Sequence, residues 1–426
     1  MNRLLVPLAS LLSGVGLLVV GVGLLFSVVG LRGGLADFST TVLGLVMSAY
    51  FAGFVVGTYL CPEIIRRVGH IRAFAAMASV ASTMPILHAL WVDPWFWGLL
   101  RFITGMCLVG LYIVVESWLN TVAPSHQRGK VFAAYMSVNF VALALGQWLI
   151  LVGDRLGFVP FVMVSIMFSF ALLPITLTPV EEPEPVDAPR LGLRNLYETS
   201  PLGVAGAVGS GLLNGAFFSL GAVFAQGAGF SDAGVAAFMA VTILGGAIFQ
   251  WPVGHYSDSH DRRHVLLWVC IACAALAAAG YFMANWSELA VIVMGLFFGG
   301  LLFTIYGLSV AHVNDVIDSS RLLEVTGGLL LLHGAGAAVG PTLAGGLMDW
   351  LGPSSLMVYF AVVLVALALI TLRRIGAAAP VPAAEKADFV LMGSGSQAVL
   401  QMDPRAEVEG PPTEAGLVAP QDLNPR

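Results

Sequence analysis

The chain reads as an all-α polytopic membrane protein of twelve transmembrane helices in two pseudo-symmetric six-helix bundles. Three observations predict this. Of 426 residues, 58% are apolar and only 10% charged, and the mean hydropathy of +0.89 is far from the balance of a water-exposed surface. The apolar residues fall into runs of about 20, the length that crosses a bilayer. The polar punctuation also repeats: residues 57–72 (GTYLCPEIIRRVGHIR) and 250–268 (QWPVGHYSDSHDRRHVLLW) both interrupt long apolar runs, with the pairs Arg66-Arg67 and Arg262-Arg263 196 positions apart and Gly57 and Gly254 197 apart. Repetition at that interval indicates two copies of one half.

Spans are expected near 4–31, 41–60, 73–91, 95–117, 131–152 and 158–178, then 200–226, 233–253, 265–284, 288–311, 326–348 and 354–372. The first could imitate a secretory leader, but its apolar run is too long for one and many spans follow. Helices are required because lipid offers no partner to unpaired backbone groups. Short polar breaks separate them, such as 32–40, Asp93-Pro94, 124–130 and 349–354. The domain reading is a six-helix bundle over 1–178, a polar, proline-bearing cytoplasmic connector over 179–199, a second bundle over 200–374 and a flexible cytoplasmic tail over 375–426. Within the tail, the FVLM stretch at 389–392 is the part suited to pairing with something.

Placing both termini in the cytoplasm puts Arg3, Arg66, Arg67, Arg72, Arg128, Lys130, Arg190, Arg194, Arg262, Arg263, Arg321, Arg373 and Arg374 inside. Only Arg32 and Arg155 fall outside, and Arg101 lies within a span. The bias of cations, not the net charge of −6, sets this orientation. No basic stripe suits nucleic acid. Cys61, Cys107, Cys270 and Cys273 lie in apolar or near-membrane positions; the C-x-x-C spacing of the last two has no converging His or Cys, so packing is preferred to metal. No G-x-x-x-x-G-K-[ST] occurs, and the glycines of the first and eleventh spans suit close helix packing rather than a nucleotide. No cofactor is expected.

Gly254, Asp258, Arg262 and Arg263 match the signature G-x-x-x-D-R-x-G-R-R, with Ser259 and Asp261 at two departures; in the first copy Arg67, Gly69 and Arg72 match and Arg66 stands where the Asp would be. Arg101-Phe-Ile-Thr-Gly105 matches R-x-x-x-G, and Gly146 and Gly340 mark glycine-rich fifth and eleventh helices. In these residues, over positions 1 to about 374, the chain resembles the major facilitator superfamily. ESWLN at 116–120, Gly69-His70-Ile71-Arg72 and the QWPVG segment resemble its YcaD-type bacterial branch.

Glu63, Arg66, Arg67, Arg72, Asp258, Asp261, Arg262 and Arg263 are the candidates for a cytoplasmic gate, with Asp258 paired to Arg262 or Arg263 foremost and Glu63 taking the place of the missing acid; plain positive-inside anchoring is the alternative. Ionisable residues inside spans cost roughly 2.5–3.5 kcal/mol to insert and are functional candidates by default. Arg101 and Glu116 share a helix face with Gly105 and Tyr112 but are about 22 Å apart along the axis, too far to pair. The resemblance implies a part for Arg101 in proton coupling or substrate attraction. Glu116 could reach water or an Arg such as Arg128, or carry a proton if buried.

Asn139-x6-Gly146 and His333-x6-Gly340 fall at the same offset of 194, so Asn139 and His333 are symmetry mates, facing the central cavity by analogy with the family. His333 can titrate near neutral pH, or simply be a hydrogen-bonded packing residue. Tyr50, Asn214 and Thr242 are expected near the midplane, with Gln147, Gln250 and Tyr306 farther along their helices, either lining a mostly apolar cavity or bonding between helices.

These readings describe a monomeric secondary transporter of the bacterial inner membrane, moving a small amphipathic or weakly anionic molecule past a midplane site. Proton-coupled efflux by antiport is preferred, with uptake by symport the alternative. A non-transporting sensor would use the acidic tail. A lipid-acting enzyme would need a nucleophile with its base, metal spacing or a catalytic domain, and none of these is found in the sequence.

Overall fold

The computed structural model describes residues 2–124, 127–154, 157–178, 183, 193–284, 286–317 and 321–376, and beyond them 382, 386, 389, 396 and 398. Most of the expected connector and tail, and with them Arg155 and Arg190, lie outside the described residues. The elements are α1 (Asn2–Leu35), α2 (Thr40–Val68), α3 (His70–Leu90), α4 (Pro94–Val122), α5 (Arg128–Trp148), α6 (Val159–Thr176), α7 (Leu193–Thr199), α8 (Pro201–Gly227), α9 (Asp232–Ser259), α10 (Arg262–Met283), α11 (Glu288–Leu302), α12 (Thr304–Asn314), α13 (Leu322–Leu351) and α14 (Ser355–Ile375). Among the described residues, twelve stretches are long and apolar enough to cross a membrane, α11 and α12 together making one of them. The short α7 falls within the expected connector and buries Leu196, so helix resumes before position 200.

Helix starts follow from their caps. Asp93 accepts from the Phe96 N–H ahead of Pro94, and Ser39, Ser200, Ser231 and Ser287 cap α2, α8, α9 and α11 in the same way. Helix ends differ from expectation. Spans expected to stop at 60 and 253 continue to Val68 and Ser259, so Glu63, Arg66, Arg67, Gly254 and Asp258 stand on helix rather than in loops. The added turns leave the apolar stretch but remain helical: Arg66 and Arg67 in the last turn of α2 complement its dipole, and Glu63 pairs with both along the helix. The turn into α3 then shrinks to Gly69, at φ +84°, a backbone conformation open to glycine and strained for other residues.

The two bundles pack alike. In the first, α1 lies against α5 and α6, α2 against α4, and α3 against α6; in the second, α8 lies against α13 and α14, α9 against α11, and α10 against α14. Lipid tails are as apolar as leucine, so no hydrophobic force draws helices together and close backbone contact must do it. Between α2 and α4 that contact is reciprocal: a methyl group on Gly53 would run into the Phe102 carbonyl, and one on Gly105 into that of Tyr50.

The halves meet through α1 with α8, α2 with α13 and α5 with α9. They are bonded directly at the end away from the paired arginines. There the Asp349 carboxylate of α13 caps the start of α2, accepting from the Thr40 N–H at 2.8 Å and the Thr41 N–H at 3.0 Å and from both threonine hydroxyls. Further in, Ser48 and Thr342 hydroxyls lie 2.8 Å apart. These bonds tie the two halves together at this end of the interface.

Two outcomes follow. Gly105→Ala should lower the thermal midpoint of the purified protein by several degrees, since overpacking costs about 1–3 kcal/mol, whereas Gly98→Ala on the same helix, where a methyl group meets nothing within 4 Å, should not. Asp349→Ala should speed thiol-reagent labelling of a Ser48→Cys reporter, because α2 loses its cap from the other half; an unchanged rate would show that the carboxylate does not hold this end shut.

Candidate functional site

Between the halves lies a cavity offering about 170 Å³ to the centres of water molecules. A single water needs roughly 10–15 Å³ by that measure, so a small organic molecule fits. The first half lines it with Phe26 of α1, Tyr50, Phe51, Phe54 and Thr58 of α2, Tyr112 of α4, and Tyr135, Asn139 and Phe140 of α5. The second half adds Asn214 and Phe218 of α8, Gln250 of α9, Phe303, Tyr306 of α12, and His333, Gly334 and Ala337 of α13. Among the described residues, no Asp, Glu, Lys or Arg lines it.

Aromatic rings bridge the halves across its wall. Phe26 lies 6.0 Å from Phe218 between ring centroids, and Phe140 lies 6.2 Å from Phe303. Phe303 sits at the break between α11 and α12, and Gln250 donates to its carbonyl at 3.2 Å. A helix interruption at membrane depth needs such a donor, and it persists where it faces a cavity.

The symmetry mates Asn139 and His333 both line the cavity. Asn139 donates to the Tyr135 carbonyl at 2.8 Å; His333 Nδ1 lies 3.0 Å from the Ser210 hydroxyl, and its ring lies 4.7 Å from that of Tyr306. Asn214 Oδ1 and the Tyr306 hydroxyl are buried without a hydrogen-bond partner among the described residues, which leaves one acceptor and one hydroxyl for a bound molecule. Tyr50 and Gln250 also line the wall.

Two expected lining residues are elsewhere. Thr242 is buried between α9 and α11, its hydroxyl on the Phe238 carbonyl at 2.7 Å, beside Gly295 and Gly299. Gln147 is engaged between α1 and α5, accepting from the Ser27 hydroxyl and donating to the Gly23 carbonyl at 3.1 Å. Both side chains satisfy helix packing inside one bundle. The apolar surroundings leave a polar group there no other option.

Arg101 is fully buried behind the wall. Its guanidinium carbon lies 4.5 Å from the Phe26 centroid and 4.6 Å from that of Tyr50, and its three nitrogens have no hydrogen-bond partner among the described residues. A desolvated cation–π contact contributes about 2 kcal/mol or more. Two of them match the roughly 2.5–3.5 kcal/mol cost of inserting an arginine at mid-helix. Rings rather than a carboxylate therefore hold the charge, and those rings face the cavity. Glu116 is also fully buried; it accepts from the Tyr135 hydroxyl at 2.6 Å and so is one side chain from the lining.

At the arginine-rich end the two halves differ. Arg262, buried, reaches Asp258 at 3.1 Å and Asp315 at 2.7 Å, tying α9 and α10 to the turn after α12. Arg263 pairs with Asp261 at 2.8 Å. Burial raises the pKa of the Asp261 carboxyl, but the hydrogen bonds from Arg263 lower it by more, to about 2. The stabilisation this gives is present above the ordinary value of 3.8 and is lost only as pH falls through about 2, so the pair is a fixed strut and not a proton switch. In the first half, Glu63 binds Arg66 and Arg67 of its own exposed helix end rather than spanning to a neighbour, and Arg72 is exposed at the start of α3.

Sequence reasoning missed Asp315, Tyr135, Phe26 and Phe303. Tyr135 stands one turn before Asn139, and Asp315 is an acid in the polar break after the tenth span, so both carried a positional signal. The two phenylalanines are indistinguishable in sequence from other apolar residues.

Residues 11–321 match the Major Facilitator Superfamily. An uncharacterised transporter of this type from Enterobacter sp. (strain 638) is 30% identical over 383 residues, covering 87% of this chain and 96% of that protein. The uncharacterised transporter YcaD of Salmonella typhi is 28% identical over 374 residues, with the same coverage. Among solved structures, the nucleoside transporter NupG superposes with a TM-score of 0.72 at 13% identity over 86% of this chain and 98% of its own. A bacterial homologue of the human lysosomal transporter Spinster, in an inward-facing and occupied conformation, superposes with 0.69 at 14% identity over 89% and 97%. These relatives are transporters and not enzymes. With the family match spanning well over half its length, this chain belongs to the major facilitator superfamily.

Proposed function

We propose that the chain carries a small amphipathic molecule, neutral or weakly anionic, through this cavity by alternating access, and that proton antiport drives its efflux across the bacterial inner membrane. The observation that supports this most is the lining: aromatic rings, amides, phenols and one imidazole, free of charged side chains among the described residues, with the Arg101 cation directly behind Phe26 and Tyr50. Such a wall favours electron-rich or weakly negative solutes and offers a multiply charged one no counter-ion. The cytoplasm lies at the arginine-rich end, by the distribution of cations. Protons enter through His333 and through Glu116, whose hydrogen bond to Tyr135 connects a buried carboxyl to the wall. The struts around Arg262 set how the cytoplasmic ends of the second bundle move. The protein acts as a monomer.

The test is flux in proteoliposomes under an imposed pH gradient, with a panel of metabolites and amphipathic drugs. Solute and proton should move in opposite directions; movement in the same direction would replace efflux with symport. His333→Ala and Arg101→Ala should each lower coupled flux at least about tenfold, the equivalent of about 1.4 kcal/mol. Gln147→Ala and Thr242→Ala, engaged in helix packing, should transport solute at close to the parent rate once corrected for the amount of folded protein. Normal transport by both the His333 and Arg101 variants would remove those two residues from the pathway.

A further inference from the structure

The second bundle presents a compact polar cluster to the cavity, built on helices in backbone contact. A methyl group on Gly211 of α8 would strike the His333 carbonyl, and one on Gly215 that of Ala337, so α8 and α13 touch. This brings Ser210 beside His333 of α13, with Asn214 one turn further along α8 and the Tyr306 ring of α12 4.7 Å from the imidazole. Asn214, Tyr306 and His333 all line the cavity.

Acceptors outnumber donors in this cluster. The Ser210 hydroxyl has one hydrogen and donates it to the Ala207 carbonyl at 2.9 Å, so the 3.0 Å contact with His333 is made by an N–H on Nδ1. In a neutral imidazole Nε2 is then the acceptor. Asn214 Oδ1 is a second acceptor, and both it and the Tyr306 hydroxyl are buried without a partner among the described residues. Asn214 is 9% exposed and Tyr306 3%. An orphaned polar atom at such burial costs stability, and it calls for a partner brought in from outside the fold.

The first bundle contributes mainly rings, among them Phe26, Tyr50, Phe51, Phe54 and Phe140. The Arg101 guanidinium lies behind two of these, Phe26 and Tyr50. A cation on one face of a ring draws π density toward that face. The cavity side of the ring is then more receptive to an electron-rich partner. One wall thus suits π density, and the other suits a hydrogen-bond donor.

We propose that the solute is a neutral, electron-rich aromatic molecule carrying an N–H or O–H donor, of the indole and phenol type, and that Asn214, Tyr306 and His333 select it. The ring lies against the wall of the first bundle and the donor against the cluster. A carboxylate or phosphate would bring further acceptors to Asn214 Oδ1 and His333 Nε2 and leave both unpaired, so the neutral solute is preferred to the anion. This deepens the transport reading and rests on it for the word solute, but binding can be measured without transport.

The experiment is equilibrium dialysis of radiolabelled indole against the full chain in lipid nanodiscs, with uptake by protein-free nanodiscs subtracted. Binding should be saturable, and unlabelled phenol should compete. Benzofuran, which keeps the shape of indole but lacks the N–H, should compete at least about tenfold more weakly than indole, because a buried acceptor is then left unmade. Cyclohexanol, with a hydroxyl and no aromatic ring, should likewise fall below phenol. Absence of saturable indole binding, or equal competition by benzofuran and indole, would overturn the proposal.

Two variants assign the recognition to the cluster. Asn214→Leu and Tyr306→Phe remove orphaned atoms, so neither should lower the thermal midpoint of the purified chain, whereas removal of a group bonded within the fold would. Each should nevertheless weaken indole binding by about tenfold and narrow the gap between indole and benzofuran. A lowered midpoint in both, or undiminished discrimination in both, would overturn the assignment. Saturable, donor-dependent binding with no flux of any solute in the proteoliposome assay leaves this site standing and overturns the transport reading instead. Flux of other solutes without saturable indole binding does the reverse.

Discussion

The constraint on which this structure depends is that lipid supplies neither a hydrophobic force between helices nor a partner for polar groups. Helices must therefore adhere through backbone contact, and each buried polar atom must find its partner within the protein. Both requirements are visible at the same places. Gly53 and Gly105 let α2 and α4 touch within the first bundle, and Gly44 and Gly345 do the same for α2 and α13 across the two halves. The start of α2, left with unsatisfied N–H groups, takes its acceptor from Asp349 of the opposite bundle. One carboxylate thus completes a helix and joins two halves.

Polar side chains divide along the same lines. Gln147 and Thr242 lie where helices of one bundle meet, and bond there. Asn139, Asn214, Gln250 and His333 lie where the bundles face each other, and their remaining capacity is turned to the cavity. Arg101 is the exception in chemistry. No carboxylate among the described residues pairs with it, and two aromatic rings face its guanidinium instead, so its field reaches the cavity through the very side chains that form the wall.

Much of this was legible in the sequence. Run length and the 196-residue repeat of Arg66-Arg67 and Arg262-Arg263 led to twelve spans in two copies, and the offset shared by Asn139 and His333 made them symmetry mates, which analogy with the family turned toward the cavity they line. Helix ends were not legible, because hydropathy reports where lipid stops and not where the helix stops: α2 runs on to Val68 on the strength of charge pairs and its dipole. Nor could periodicity separate Thr242 from Asn214, since a polar residue on a helix looks the same whether its neighbour is a sister helix or an opening. The FVLM stretch at 389–392 was singled out as suited to pairing, but where Phe389 and Ser396 pack was not legible. Their contacts are with Gly254, Gly307, Asp258 and Glu116, which lie 80 to 280 residues away, a separation that no local pattern reports.

The two ends of the interface are tied by different means, and the difference is physical. At one end the halves bond to each other directly, through a helix cap that is lost as soon as α2 and α13 part. At the other, Phe389 bonds one half and Ser396 the other, and the acceptors they use already have other roles. Asp258 accepts from Phe389 while pairing with Arg262, and Arg262 also holds Asp315; Glu116 accepts from Ser396 while holding Tyr135 of the cavity wall. Phe389 therefore binds the strut network of one bundle, and Ser396 the buried carboxyl of the other.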